Sequence, residues 1–163
     1  MGFTGAGISP TTVSTDQLAP LGFVLTVPDG DNGLQEWVYI YNDGTTPLRG
    51  ADTTVVKYDV AELDTDYALF HCIRGATSSA VKLRVAGVAQ HEIAAGSYGF
   101  VLRKGKGKVT TDGTVAQGEC FKIKNAGDVQ DFGSDAASIV GMALATDGGG
   151  VANIDAYIDC SLG

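Results

Sequence analysis

The stretch Val81–Ile123, VKLRVAGVAQHEIAAGSYGFVLRKGKGKVTTDGTVAQGECFKI, decides the fold class. Val81, Leu83 and Val85 alternate with Lys82, Arg84 and Ala86, the period of two that half-buried strands show. Gly96 and Gly99 bracket Ser97-Tyr98 ahead of the apolar run Phe100-Val101-Leu102. Gly105 and Gly107 interrupt the basic run Arg103–Lys108, a pattern that predicts an exposed hairpin tip or loop. Asp112-Gly113 supplies the positive backbone angles of a tight hairpin turn. Val115 and Gly118 then lead into an alternating strand around Phe121 and Ile123. The stretch reads as a meander of short strands and holds no set of groups that performs chemistry.

Upstream, Leu21–Val27 reads as a strand ended by Pro28-Asp29-Gly30-Asp31-Asn32-Gly33. Asp29, Asp31 and Gly33 begin like a calcium loop. The sixth and twelfth positions, which that loop reserves for glycine and glutamate, hold Leu34 and Ile40, so a turn is expected instead. Trp37–Tyr41 is the cleanest strand, with Trp37, Tyr39 and Tyr41 on one face and Val38 and Ile40 on the other. Such an aromatic face packs against a second sheet or a neighbouring subunit; alternatively, it stacks on sugar rings. Thr53–Val56 opens another strand, and Val60–Asp66 has the composition of a single helical turn. Tyr67–Ile73 reads as a strand buried on both faces, with His71 as a satisfied core group.

Downstream, Ser134-Asp135-Ala136-Ala137 has the residues to cap a helix running to Ala145. Gly141 and the β-branched pair Ile139-Val140 weaken that helix. A short turn, a strand from Ile139 to Ala145 and a last strand from Ala152 to Cys160 are preferred. Asp-Gly occurs at residues 29, 43, 112 and 147, each time between strand candidates. The expected fold is therefore all-β: an antiparallel, hairpin-rich sandwich or barrel over residues 21–163, with at most one or two short helices. Residues 1–20 read as an extended, flexible N-terminal arm with too little apolar area to offset its own ordering entropy. Phe3 and Ile8 are spaced anchors by which such an arm docks on a neighbour.

The chain of 163 residues suits one domain with a sizeable core. Its charged fraction of 18% is low for a soluble protein and hints at surface buried in an assembly, although abundant Ala and Gly also raise the hydropathy. No apolar run approaches the roughly 20 residues that cross a bilayer, and the N-terminus lacks a secretory pattern, so synthesis in a cytoplasm without membrane insertion is expected. Cys72, Cys120 and Cys160 form no metal-ligand spacing and read as buried, reduced thiols. Residues 82–124 hold eight basic residues against three acidic ones (Glu92, Asp112 and Glu119), inside a chain whose net charge is −8. An acidic body with one basic segment argues against nucleic-acid binding and fits contact with other copies or with an acidic surface. The two histidines stand far apart, and neither a nucleophile elbow nor a phosphate loop is present. Gly105-Lys106-Gly107-Lys108 lacks the strand–loop–helix context of a phosphate cradle. The expectation is a protein with no enzymatic activity, no cofactor and no metal.

Three stretches carry a family resemblance: Gln90–Val101 with Gly113–Glu119, Glu36–Gly44 with Leu48-Arg49-Gly50, and Ile139–Ala145. Their order and spacing, over roughly residues 36 to 145, resemble the head decoration (capsid cement) proteins of tailed bacteriophages. The resemblance implies a small β-rich structural protein of the virion that sits on the capsid exterior, braces the assembled shell and often forms a homotrimer. The implied partners are the major capsid protein and other copies of this chain. Candidate contact residues are Phe3 and Ile8 of the arm and Arg103, Lys104, Lys106 and Lys108 of the basic run; the latter run also reads as a merely solvated loop. The alternative is a carbohydrate- or receptor-binding module using Trp37, Tyr39 and Tyr41.

Overall fold

The computed structural model describes residues 7–49, 60–63, 70–75, 85–124, 127–133 and 139–160. Among these residues ten strands follow in chain order: β1 (Val24–Pro28), β2 (Leu34–Asn42), β3 (Val60–Leu63), β4 (His71–Arg74), β5 (Val85–Val88), β6 (Tyr98–Asp112), β7 (Cys120–Ile123), β8 (Val129–Asp131), β9 (Ile139–Ala143) and β10 (Val151–Asp159). Among the described residues there is no α-helix, only a short 3-10 turn at Gly30–Asn32. The fold is all-β, as the alternating patterns dictate.

The strands close into two rings that share β6. In the first, β2, β4, β3, β5 and the N-terminal half of β6 pair in turn, and β6 returns to β2. In the second, the C-terminal half of β6, β10, β9, β7 and β8 do the same, and β8 returns to β6. Each ring is a small barrel, and closure removes the open strand edges that invite aggregation. The pairings are antiparallel except for β2 with β4 and β6 with β8, which are parallel. Of the four Asp-Gly pairs, Asp29-Gly30 turns β1 into β2 and Asp147-Gly148 lies in the β9–β10 connection. The other two end β2 and β6 without forming hairpins, because those strands pair next with non-adjacent partners.

The two barrels are one unit used twice. Every pairing in the first has its counterpart in the second: β2–β4 with β6–β8, β4–β3 with β8–β7, β3–β5 with β7–β9, β5–β6 with β9–β10, and β2–β6 with β6–β10. Even the bulges coincide: Ala61 faces Gly87 and Glu62 skips to Val85, while Phe121 faces Gly141 and Lys122 skips to Ile139. Gly87 and Gly141 are glycine for the same reason. A Cβ on Gly87 would lie 2.7 Å from the Leu102 carbonyl oxygen, and one on Gly141 would collide with the Tyr157 carbonyl oxygen. The bridges Leu48–Ile93 and Val115–Asp147 sit at matching places, each beside a buried polar post. The Asn42 amide donates to the Ile93 carbonyl at 2.9 Å, and the Thr111 hydroxyl donates to the Asp147 carboxylate.

The first barrel is filled by Val38, Ile40, Cys72, Ala86 and Val101, closed at one end by Leu48 and Ile93. A second, larger core runs from Trp37, Tyr39, Phe100 and Leu102 on the outside of the first barrel into Val109, Phe121, Val129, Val140, Ile154 and Ala156 of the second. A bulge in β6 opposite Glu36/Trp37 makes this continuity possible. It shifts the side-chain alternation by one residue, so Phe100 and Leu102 share a side of β6 with Gly107 and Val109. The face outside one barrel thus becomes the face inside the next.

Several expectations are corrected. Val60–Leu63 is a strand, not a helical turn, because it is clamped between β4 and β5. His71 is not a core group: its side chain is 31% exposed and its Nδ1 lies 3.1 Å from Asp43 Oδ2. Cys72 and Cys160 are buried thiols, but Cys120 is exposed because it faces outward from the second barrel. The expected strand over Thr53–Val56 and the expected turn over Ser134–Ala137 lie outside the described residues.

Candidate functional site

The aromatic side of β2 was the sharpest candidate surface in the sequence. Its alternation is real, but its surroundings make it a core. Tyr39 packs on Phe100 with ring centroids 4.9 Å apart and on Tyr98 at 6.0 Å, and Tyr41 packs on Tyr98 at 4.8 Å. The N-terminal segment closes over this layer. Ser14 and Tyr98 exchange backbone hydrogen bonds of 3.1 and 2.7 Å, and the Leu18 N–H donates to the Tyr39 hydroxyl at 3.0 Å. Ala19 is buried, and Ile8, Leu21, Phe23 and Leu25 pack against the same cluster. Trp37 is left 6% exposed and Tyr39 1% exposed, which leaves no platform for a sugar ring. Tyr41 alone stays half-buried, its ring edge-on to His71 at 5.0 Å.

The same contacts change the reading of the arm. Over residues 7–20 it lies on its own barrel, because the aromatic face offers it the apolar area it lacks itself. Ile8 therefore packs inward; Phe3 lies outside the described residues.

The basic run is not a hairpin tip. Arg103, Lys104, Lys106 and Lys108 lie within β6, paired to β10 with Lys104 opposite Asp159 and Lys108 opposite Asp155. Its glycines serve close approach rather than reversal of the chain. A Cβ on Gly105, whose φ is +119°, would lie 2.9 Å from the Leu34 carbonyl oxygen, and one on Gly107 would lie 2.5 Å from Leu102 Cδ2. Lys106 and Lys108 remain 38% and 49% exposed, and Asp155 sits 3.9 and 3.3 Å from their ammonium groups. Much of the positive charge is thus answered within the chain by cross-strand pairs.

An open groove of about 500 Å³ is lined by Asp43, Gly44, Thr45, Thr46, Ile73, Arg74 and Gly75. Among the described residues no three His, Cys, Asp or Glu side chains gather as a metal site. His91 lies beside Trp37 with ring centroids 6.5 Å apart and planes tilted by 36°, and neither of its ring nitrogens has a hydrogen-bond partner. Burial lowers its pKa from the ordinary 6.5. Burial, with Asp159 adding to it, pushes the Cys160 thiol far above its usual range.

One surface escaped the sequence reading. Tyr157 of β10, Met142 of β9 and Cys120 of β7 are cross-strand neighbours and all three are exposed, Tyr157 to 37% and Met142 to 39%. Lys106 adjoins Tyr157 on the other side. The signal that would have found this row is the echo of Val85-Ala86-Gly87-Val88-Ala89 in Ile139-Val140-Gly141-Met142-Ala143. It aligns without a gap through to Gly96 and Gly150 and places Met142 where Val88 stands.

No protein-family model matches the chain, and no characterised protein matches it by sequence. Among solved structures the fold is similar to the head fiber gp8.5 N base of bacteriophage phi29. The TM-score is 0.53 at 12% sequence identity, over 77% of this chain and 97% of that one. The two share a fold.

Proposed function

We propose that this chain is a structural protein of a phage virion that binds the outside of the assembled head and stabilises it, in the manner of a cement protein. The observation that carries the proposal is the fold: a solved phage head component is matched over 97% of its length. The resemblance of Gln90–Val101, Glu36–Gly44 and Ile139–Ala145 to decoration proteins supports the same reading. Its partners are the major capsid protein and further copies of itself, most simply as a trimer, with no part for nucleic acid, membrane or enzymatic chemistry. The mechanism is mass action: a protein that binds the assembled lattice and not the dispersed subunits stabilises the lattice by its own binding free energy.

Purified chain should co-sediment with assembled shells and not with dissociated capsid protein, and shells carrying it should resist heat better than bare ones. Equal heat resistance with intact binding would reduce the role to that of a base or attachment protein. Absence of binding to any shell would overturn the proposal.

A further inference from the structure

We propose that the groove at the end of β2 in the first barrel is a binding site for a neutral saccharide, with Asp43, Thr45, Thr46 and Arg74 as its polar contacts. The proposal rests on this groove and stands apart from the virion reading above.

The two barrels diverge at this turn. After the buried post Asn42 of β2, residues 43–47 run to the bridge at Leu48; after the post Thr111 of β6, residues 112–114 run to the bridge at Val115. Both turns begin Asp-Gly-Thr, and the first is two residues longer. In the second barrel the leading aspartate is neutralised within the chain. Lys124 Nζ lies 2.9 Å from Asp112 Oδ2 and also donates to the Asp112 carbonyl at 2.9 Å. Asp43 has no lysine or arginine partner among the described residues. Its Oδ2 lies 3.1 Å from His71 Nδ1, and its Oδ1 meets no hydrogen-bond donor among those residues.

Arg74, at the end of β4, lines the same groove and forms no ion pair with Asp43. Among the described residues, neither its guanidinium nor the hydroxyls of Thr45 and Thr46 have a partner. A carboxylate and a guanidinium thus border one open groove without reaching each other. Lys106 and Lys108, by contrast, are answered by Asp155.

The frame of the groove is fixed without a ligand. The Asn42 amide donates to the Thr46 carbonyl at 3.1 Å and the Ile93 carbonyl at 2.9 Å, and its Oδ1 accepts the Gly44 N–H at 3.2 Å. The Asp43 N–H donates to the Cys72 carbonyl at 2.9 Å, which fastens the turn to the strand carrying Ile73 and Arg74. At the far end the Gly75 carbonyl accepts the Gly127 N–H at 2.6 Å. A frame held this way gives up little freedom when a ligand enters. Its volume of about 500 Å³ suits a small molecule.

The polar groups select the class of ligand. An anion drawn to Arg74 is repelled by Asp43, and a cation drawn to Asp43 is repelled by Arg74. A hydroxyl both donates and accepts, so a ring carrying several of them donates to the carboxylate and accepts from the guanidinium at once. The threonine hydroxyls serve either role. Ile73 is the one large apolar side chain among the described lining residues. That is too little to anchor an apolar ligand, and it suffices for the C–H face of a sugar ring.

The test is an amide NMR titration of the full chain with the methyl glycosides of glucose, galactose and mannose, with N-acetylglucosamine and, separately, with inorganic phosphate. At least one of the saccharides should bind saturably in the millimolar range and shift the amides of residues 43–46 and 73–75. Asp43→Ala and Arg74→Ala, each with a folded spectrum, should weaken that binding at least about tenfold, the loss that follows when a hydrogen bond to a charged group is removed. Asp155→Asn, outside the groove, should leave it unchanged. Should a groove variant fail to fold, the pair Thr45→Val/Thr46→Val, in an exposed turn, should show the weakening instead. The proposal is overturned by a response to phosphate alone, by no saturable response to any saccharide, or by saturable shifts confined to other parts of the chain. Binding that survives the groove variants, or falls as far in Asp155→Asn, overturns it too. No capsid enters the experiment, so its failure leaves the virion reading standing.

Discussion

The two barrels share a connectivity and differ in what lies outside them. Around the first, the outward side chains of β2 and β6 are Trp37, Tyr39, Phe100 and Leu102, roofed by the N-terminal segment, β1 and the end of β10. Around the second, the corresponding positions on β6 and β10 hold Lys106, Lys108, Asp155 and Tyr157 and meet solvent. One strand serves both, and the bulge in β6 is where its outward face exchanges roles. The difference teaches that a repeated fold does not repeat its burial: the same strand position is core or surface according to what the rest of the chain lays over it.

The largest test of that contrast compares two buried phenylalanines. Phe121 lies inside the second barrel and Phe100 outside the first, yet both are 0% exposed. Truncation to alanine should cost about 3–5 kcal/mol in each case, read from denaturant midpoints. A Phe100→Ala cost near zero would show that the outer aromatic layer is not a core.

Next comes the equivalence of the bulge glycines. Gly87→Ala and Gly141→Ala should each destabilise by about 1–3 kcal/mol, Gly141→Ala more, because the added methyl meets backbone that cannot rotate away. Neutral behaviour of either variant breaks the correspondence between β5 and β9.

A smaller effect belongs to the roof. Tyr39→Phe removes the acceptor for the Leu18 N–H and should cost about 1 kcal/mol, with faster amide exchange confined to residues near Leu18. Exchange unchanged at Leu18 would detach the arm from this face.

The smallest concerns His91, which has no repeat counterpart, since the aligned residue of the second unit is Ala145. Its folded pKa lies below the unfolded 6.5, so as pH falls the unfolded chain takes the proton first. Stability is therefore full above 6.5 and declines as pH drops through that value towards the folded pKa. The wild-type midpoint should fall between about pH 7 and about pH 5, and His91→Phe, which keeps a ring beside Trp37, should flatten that fall. An identical pH profile in the variant removes His91 as the cause.

Several strand positions along the chain were legible because alternation and Asp-Gly punctuation are local properties of the chain. Trp37–Tyr41, Phe100–Leu102, Phe121 with Ile123, and the last two strands stand where their patterns place them. The Arg103–Lys108 run was misread as a tip because glycine that reverses a chain and glycine that lets another strand approach look alike in one dimension. Only contact with Leu34 and Leu102 tells them apart. The Trp37–Tyr39 ladder was rightly given one face, but nothing in its own residues says that Ala19 and Phe23 cover that face.

The sequence by itself determined the β character, the two-sidedness of its strands and several of its turns, since each depends on residues a few positions apart. Tertiary structure alone decided that β6 is shared by two barrels, that the aromatic face is closed, and that the row through Met142 is open. Those facts depend on which distant segments pack against a given face, and burial is a property of the pair of surfaces rather than of either one.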